Sequence, residues 1–155
     1  MEARINLHEK GHSALKAMYG IGAYLAKSRV ERNLLNLIYL RVSQINGCAF
    51  CIDMHSKDLR VEGEAEQKLY LLNAWREAPF YSARERAAFA YAEAVTVLKD
   101  REVTDEVFDA VNEQFSHEEI VDLTLAITTI NSYNRFNIAF RTEAGSYEPG
   151  QFAVH

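Results

Sequence analysis

Leu40-Arg-Val-Ser-Gln-Ile-Asn-Gly-Cys48-Ala-Phe-Cys51-Ile-Asp-Met-His55 divides at Asn46-Gly47 into the end of one helical pattern and the start of another. Upstream, Leu34, Leu37, Ile38, Leu40 and Val42 give a broad apolar surface over about residues 30–45, as expected of a core helix. Asn-Gly breaks that pattern, so a new helix is predicted to open at Cys48 and reach about residue 60. Positions three and four apart are neighbours on a helix, which places Cys48, Cys51 and His55 along one face.

The remainder of the chain reads as helices too. Only Pro79 and Pro149 could interrupt them. A first amphipathic helix covers about residues 9–27, with Leu15, Met18, Tyr19 and Leu25 apolar and Gly20 and Gly22 weakening its middle. Another, over about residues 64–76, ends ahead of Ala78-Pro79. Ser82-Ala-Arg-Glu85 has capping-box spacing and opens a helix to about residue 99, Thr104 precedes a short helix, and Ser116-His-Glu-Glu119 opens the longest, to about residue 140. There is no strand alternation. The predicted fold is all-α, a compact bundle of six to seven helices in one domain over residues 1–155, with residues 141–155 a loosely ordered tail.

Composition narrows the function. At 155 residues the chain is long enough to bury roughly two thirds of its unfolded surface, and with 48% apolar and 25% charged residues a packed core is expected. The net charge of -5 is modest and Lys and Arg are scattered, which argues against nucleic acid as a partner. No run is long enough to span a membrane, and the amino terminus has no apolar segment followed by a small-residue cleavage site, so a cytoplasmic location is expected.

Two cysteines three residues apart close too short a loop to staple a fold, so their purpose is chemical. In a reducing compartment such a pair is metal-binding or redox-active more often than structural. The positive end of the helix favours thiolates at Cys48 and Cys51, and a second thiol can resolve the sulfenic acid formed on the first. His55, four residues beyond Cys51, is in register to take its proton, which makes Cys51 the attacking thiol and Cys48 the resolving one. The usual nucleophile of a thioredoxin-type CxxC, the amino-terminal cysteine, argues the reverse. A zinc site of Cys48, Cys51 and His55 needs a fourth ligand from His12, His117 or a carboxylate, and without a second ligand pair it ranks below redox chemistry. No metal and no cofactor are therefore expected. The plainest alternative is two buried cysteines packing as small apolar residues. Tyr24, Tyr39, Phe50, Trp75 and Tyr133 are read as core in preference to a pocket lining.

The opening segment closely resembles the alkylhydroperoxidase D-like branch of the carboxymuconolactone decarboxylase family. The likeness continues through Glu85-Arg-Ala-Ala-Phe-Ala-Tyr-Ala-Glu93-Ala-Val-Thr96 and Ile130-Asn-Ser-Tyr-Asn-Arg-Phe-Asn137 and covers most of residues 30–140. The resemblance implies an all-helical fold, assembly into trimers or hexamers, and peroxidase or disulfide-reductase activity through the CxxC without metal or haem. The expected function is that of a thiol-dependent antioxidant oxidoreductase, with a small peroxide as substrate and a thiol or protein reductant. A decarboxylase of the namesake branch and a redox-sensing helical module are the alternatives.

In the best-studied branch the motif is Glu, eleven residues, Cys, two residues, Cys, three residues, His, and the carboxylate and histidine relay protons. Asn36 stands at the glutamate position here, and Phe50 replaces a histidine between the cysteines. An amide cannot accept and return a proton as a carboxylate can. Glu93, inside the apolar run Ala87-Ala-Phe-Ala-Tyr-Ala-Glu93-Ala-Val, is the expected replacement, its pKa raised by burial. The competing reading pairs Glu93 with Arg41 or Arg135, while Glu85 and Glu31 are structural. The first prediction is of assembly: light scattering should give a mass of at least three chains, and a concentrated sample that stays monomeric would contradict it.

Overall fold

The computed structural model describes residues 2–151. Among them are eight α-helices and no strand: α1 Leu7–Lys10, α2 His12–Leu25, α3 Arg32–Asn46, α4 Ala49–Val61, α5 Glu66–Leu71, α6 Ala83–Val97, α7 Asp105–Asn112 and α8 His117–Phe140. Short 3-10 turns follow α5 and α6. The all-helical architecture is thus as the periodicity indicates. The first predicted helix, however, is two, because the chain turns at Gly11, where a Cβ would lie 2.7 Å from the Leu7 carbonyl oxygen. Asn6 starts α1 by accepting from the amides of His8 and Glu9.

Both capping boxes form as their spacing predicts. The Ser82 hydroxyl accepts from the Glu85 amide at 3.1 Å while the Glu85 carboxylate accepts from the Ser82 amide at 2.7 Å. Ser116 and Glu119 repeat the exchange at 3.3 and 2.8 Å. From the first turn of α6, Arg84 then joins Glu119 at 2.6 Å and Glu31 at 3.0 Å, fastening the starts of α3, α6 and α8 together.

Helix α3 is the axis of the core and packs on α4, α6 and α8. Its Leu37, Ile38, Leu40 and Val42 are fully enclosed, with Leu59 of α4, Phe89 of α6 and Leu123 and Ile127 of α8 around them. Phe89 meets Trp75 and Tyr81 edge-on, at ring separations of 5.8 and 5.3 Å. No helix among the described residues is long and apolar enough to cross a membrane.

The turn that matters most lies between α3 and α4. Gly47 takes the left-handed conformation (φ 69°), its amide donates to the Gln44 carbonyl, and the Cys48 amide donates to the Ser43 carbonyl at 3.0 Å. This double closure ends α3 and makes Cys48, in extended conformation, the N-cap of α4.

Up to residue 151 the tail has no regular helix and lies against α4. The Lys57 ammonium donates to the carbonyls of Gly145 and Tyr147, Asp53 accepts from the Gly145 amide, and the buried Tyr147 donates its hydroxyl to Asp58. Apolar burial and charged partners on α4 fix a segment whose sequence shows no periodicity; residues 152–155 lie outside the described residues. Truncating the centre of the core tests the packing: Phe89→Ala should lower stability by about 3–5 kcal/mol in chemical denaturation, and an unchanged midpoint would contradict the core assignment.

Candidate active site

The N-cap turn brings the two thiols together. Cys48 and Cys51 are free and each is 1% exposed, with their sulfurs 2.7 Å apart. In the neutral pair either S–H can donate across this contact; once one proton leaves, the other bridges the two sulfurs. The Cys48 pKa is lowered, first by the hydrogen bond from Cys51 and against the opposing effect of burial. The Cys51 backbone N–H, at the third position of α4, and the Asn134 side chain lower it further. Cys51 moves the other way, pushed up by its hydrogen bond to Cys48, by burial and by the charge on Cys48. These directions favour Cys48, the residue at the cap, as the thiol that ionises first, the alternative that the thioredoxin-type pattern raises, whereas the register with His55 favours Cys51.

His55 also departs from expectation. It is buried beside the Tyr39 ring, at a centroid separation of 5.3 Å, and neither ring nitrogen has a hydrogen-bond partner among the described residues. Burial lowers its pKa to about 4, so the imidazole is neutral at pH 7 and a weak base for a thiol. Register on a helix face places two side chains near each other but does not aim their polar atoms.

The structure pairs Glu93 with three donors. Its Oε1 accepts from Arg41 at 2.8 Å and from the Trp75 indole at 2.8 Å, and its Oε2 from Arg76 at 2.7 Å. Desolvation alone would raise the carboxyl pKa, but hydrogen bonds from Arg76, Trp75 and Arg41 outweigh it, and the pKa is lowered. The expectation of a raised pKa at Glu93 is therefore overturned, and the competing pairing with Arg41 is the one that forms, joined by Arg76. Glu93 fastens α6 to α3. Asn36 donates to Glu62 at 2.8 Å, away from the thiols. Tyr24 is exposed and donates to Asp122, and Trp75 belongs to the core, so the five aromatics do not form one lining. His12 and His117 are exposed, and no three His, Cys, Asp or Glu side chains among the described residues converge as metal ligands do.

What sequence reading missed is a ladder of carboxamides on α8. Asn134 is fully buried; its Nδ2 donates to the Ser43 hydroxyl at 3.0 Å and its Oδ1 accepts from Asn46 at 2.8 Å. Asn131 accepts from Asn46 at 2.9 Å and donates to Thr96 at 3.1 Å. Asn137 donates from Nδ2 to the Cys51 sulfur at 3.4 Å and to the Tyr133 carbonyl at 3.0 Å. A signal was present: asparagine disfavours helix interiors, yet three recur at intervals of three inside the 24-residue α8.

The burial of neutral His55 has a consequence for stability. Its folded pKa, about 4, lies below the ordinary 6.5, so between these values the unfolded chain binds more protons. The His55 contribution is present in full above about pH 6.5 and is lost as pH falls toward 4, up to about 3 kcal/mol. Denaturant unfolding of His55→Phe at pH 7 and near pH 4.5 should show a smaller loss of stability on acidification than the parent. Equal losses would contradict a buried, neutral imidazole.

Comparison with known proteins agrees with this architecture. A sequence model of the carboxymuconolactone decarboxylase family matches residues 13–94. The chain is 43% identical over 146 residues to the uncharacterized protein YdfG of Bacillus subtilis, covering 94% of this chain and 99% of that one. Its fold is similar to the crystal structure of ATU0492 from Agrobacterium tumefaciens, a protein of unknown function described as a candidate antioxidant-defence protein AhpD. That match has a TM-score of 0.89 and 40% identity over 94% of this chain and all of the other. The debrominase Bmp8 shares the fold at a TM-score of 0.79 and 22% identity, over 89% of this chain and 74% of its own. The chain belongs to the carboxymuconolactone decarboxylase family, in its alkylhydroperoxidase D-like branch.

Proposed function

We propose that the chain is a thiol-dependent oxidoreductase that reduces a small peroxide through Cys48 and Cys51. The observation that carries this reading is the unequal thiol pair: two free sulfurs 2.7 Å apart at a helix start, one pKa lowered and the other raised. A thiolate attacks an O–O bond; a neutral thiol does not. The Cys48 thiolate takes the terminal oxygen of the hydroperoxide, forming an S–O bond as the O–O bond breaks. The departing alkoxide takes the proton of Cys51. Cys51, now the thiolate, attacks the Cys48 sulfenic acid, an S–S bond forms, and hydroxide leaves. The balance is one dithiol monoanion and one hydroperoxide giving a disulfide, an alcohol and hydroxide.

Cys51 supplies the proton, so this sequence needs no carboxylate, which suits a chain with Asn36 in place of the branch's glutamate and a Glu93 already held by arginines. His55, four residues beyond Cys51, is buried with no partner on either ring nitrogen among the described residues, so it enters this sequence as a neutral neighbour and not as the proton carrier. The active unit is a homo-oligomer, and a thiol or protein reductant restores the dithiol. The name of the Agrobacterium relative, at 40% identity, supports an antioxidant role.

One equivalent of hydroperoxide should remove two thiols per chain and leave an intramolecular disulfide, read as a loss of two hydrogens by mass spectrometry. In Cys51→Ser a sulfenic acid should be trapped on Cys48, and Cys48→Ser should react only at background rate. Unchanged thiols in the parent, or full reactivity in Cys48→Ser, would overturn the reading.

A further inference from the structure

Asn137 carries a role that packing does not explain. Its side chain is nearly buried, and it spends one Nδ2 hydrogen on the carbonyl of Tyr133 in its own helix. That bond fixes which way the carboxamide faces, since turning it over would set its oxygen against the carbonyl. The other hydrogen points to the Cys51 sulfur at 3.4 Å, its one side-chain hydrogen bond to another element among the described residues. A neutral thiol is a weak acceptor, whereas a thiolate is a strong one. The buried donor is therefore poorly satisfied while Cys51 holds its proton and well satisfied when Cys51 is charged. A group that binds the charge developing in a transition state better than it binds the ground state accelerates that step. Asn134 reinforces it from one turn earlier, lowering the pKa of both thiols, with its own orientation fixed by Ser43 and Asn46.

We propose that Asn137 is a catalytic residue that stabilises Cys51 as the departing thiolate when the Cys48–Cys51 disulfide is reduced, and so directs the incoming reductant to Cys48. The inference rests on the dithiol reading above and adds to it the point at which electrons enter. A dithiol reductant, as its monoanion, attacks the Cys48 sulfur. A new S–S bond forms to Cys48, the Cys48–Cys51 bond breaks, and its electron pair stays on Cys51, where the Asn137 N–H meets it. The reductant's second thiol passes its proton to Cys51 and then attacks the mixed disulfide. The Cys48 thiolate is released, with the reductant as a cyclic disulfide. An uncharged amide does this at any pH, which a carboxylate or imidazole relay cannot.

The test uses the full chain oxidised with diamide and then reduced with dithiothreitol across pH 6–9, for the parent, Asn137→Ala and the nearly isosteric Asn137→Asp. Reduction of Asn137→Ala should be slower by about tenfold at every pH, the loss expected for one hydrogen bond to a charged group. Asn137→Asp, which keeps the shape and places a negative charge beside the leaving sulfur, should be slower still. Glutathione with rapid acid quenching should trap the first mixed disulfide on Cys48 in the parent. Reduction of both variants within twofold of the parent rate, or a mixed disulfide on Cys51, would overturn the role of Asn137 and leave the dithiol reading standing. Failure of the parent to form an intramolecular disulfide would overturn both. Circular dichroism identifies a variant that has failed to fold; if Asn137→Ala does, Asn137→Asp decides the question.

Discussion

A single left-handed residue sets the site. Gly47 closes α3 and delivers Cys48 to the N-cap of α4 with no intervening loop, so both sulfurs are fixed by backbone geometry. A side chain at that φ would strain the turn, by roughly 1–2 kcal/mol. The surrounding core supports the same geometry from outside: α3 and α4 pack together, α8 lies against both, and Arg84 fastens the starts of α3, α6 and α8. The position of the thiols thus depends on a turn that the largest helices of the fold hold in place.

The electrostatics of the pair follow from that placement. Two adjacent thiols in a closed site cannot both ionise, because the second charge would face the first across 2.7 Å. The lowered pKa of Cys48, where the Cys51 S–H and the helix amides meet it, favours the first charge there, and the raised pKa of Cys51 favours its keeping the proton. Around the sulfurs stand amides, which donate hydrogen bonds without titrating, in place of carboxylates. The groups expected to relay protons are occupied otherwise: Glu93 by Arg41, Arg76 and Trp75, and His55 by a burial that keeps it neutral. The site is better described as a fixed electrostatic environment than as a chain of acids and bases.

Much of this was legible in the residues themselves. Apolar periodicity, two capping boxes and the Asn-Gly break fixed helix type and most boundaries, because those signals are local and their partners lie within four residues. The thiol pair was legible for the same reason. For Glu93 the preferred reading, a pKa raised by its apolar neighbourhood, gave way to the competing pairing with Arg41, because an apolar run in sequence does not tell whether a guanidinium from another helix reaches the carboxylate. The docking of Tyr147 on Asp58 likewise depends on a tertiary contact. The α8 asparagines occupy an intermediate place: their poor fit to a helix was visible, but the sulfur that Asn137 faces is 86 residues away in the chain.

That Cys48 holds the charge and Cys51 the proton is tested most directly by a pH titration of thiolate ultraviolet absorbance in the reduced protein. The parent should show one equivalent of thiolate titrating below the ordinary thiol range and no second equivalent until well above it, with the low step absent from Cys48→Ser. Two thiols titrating together at an ordinary value, or a low step that survives in Cys48→Ser, would contradict the account.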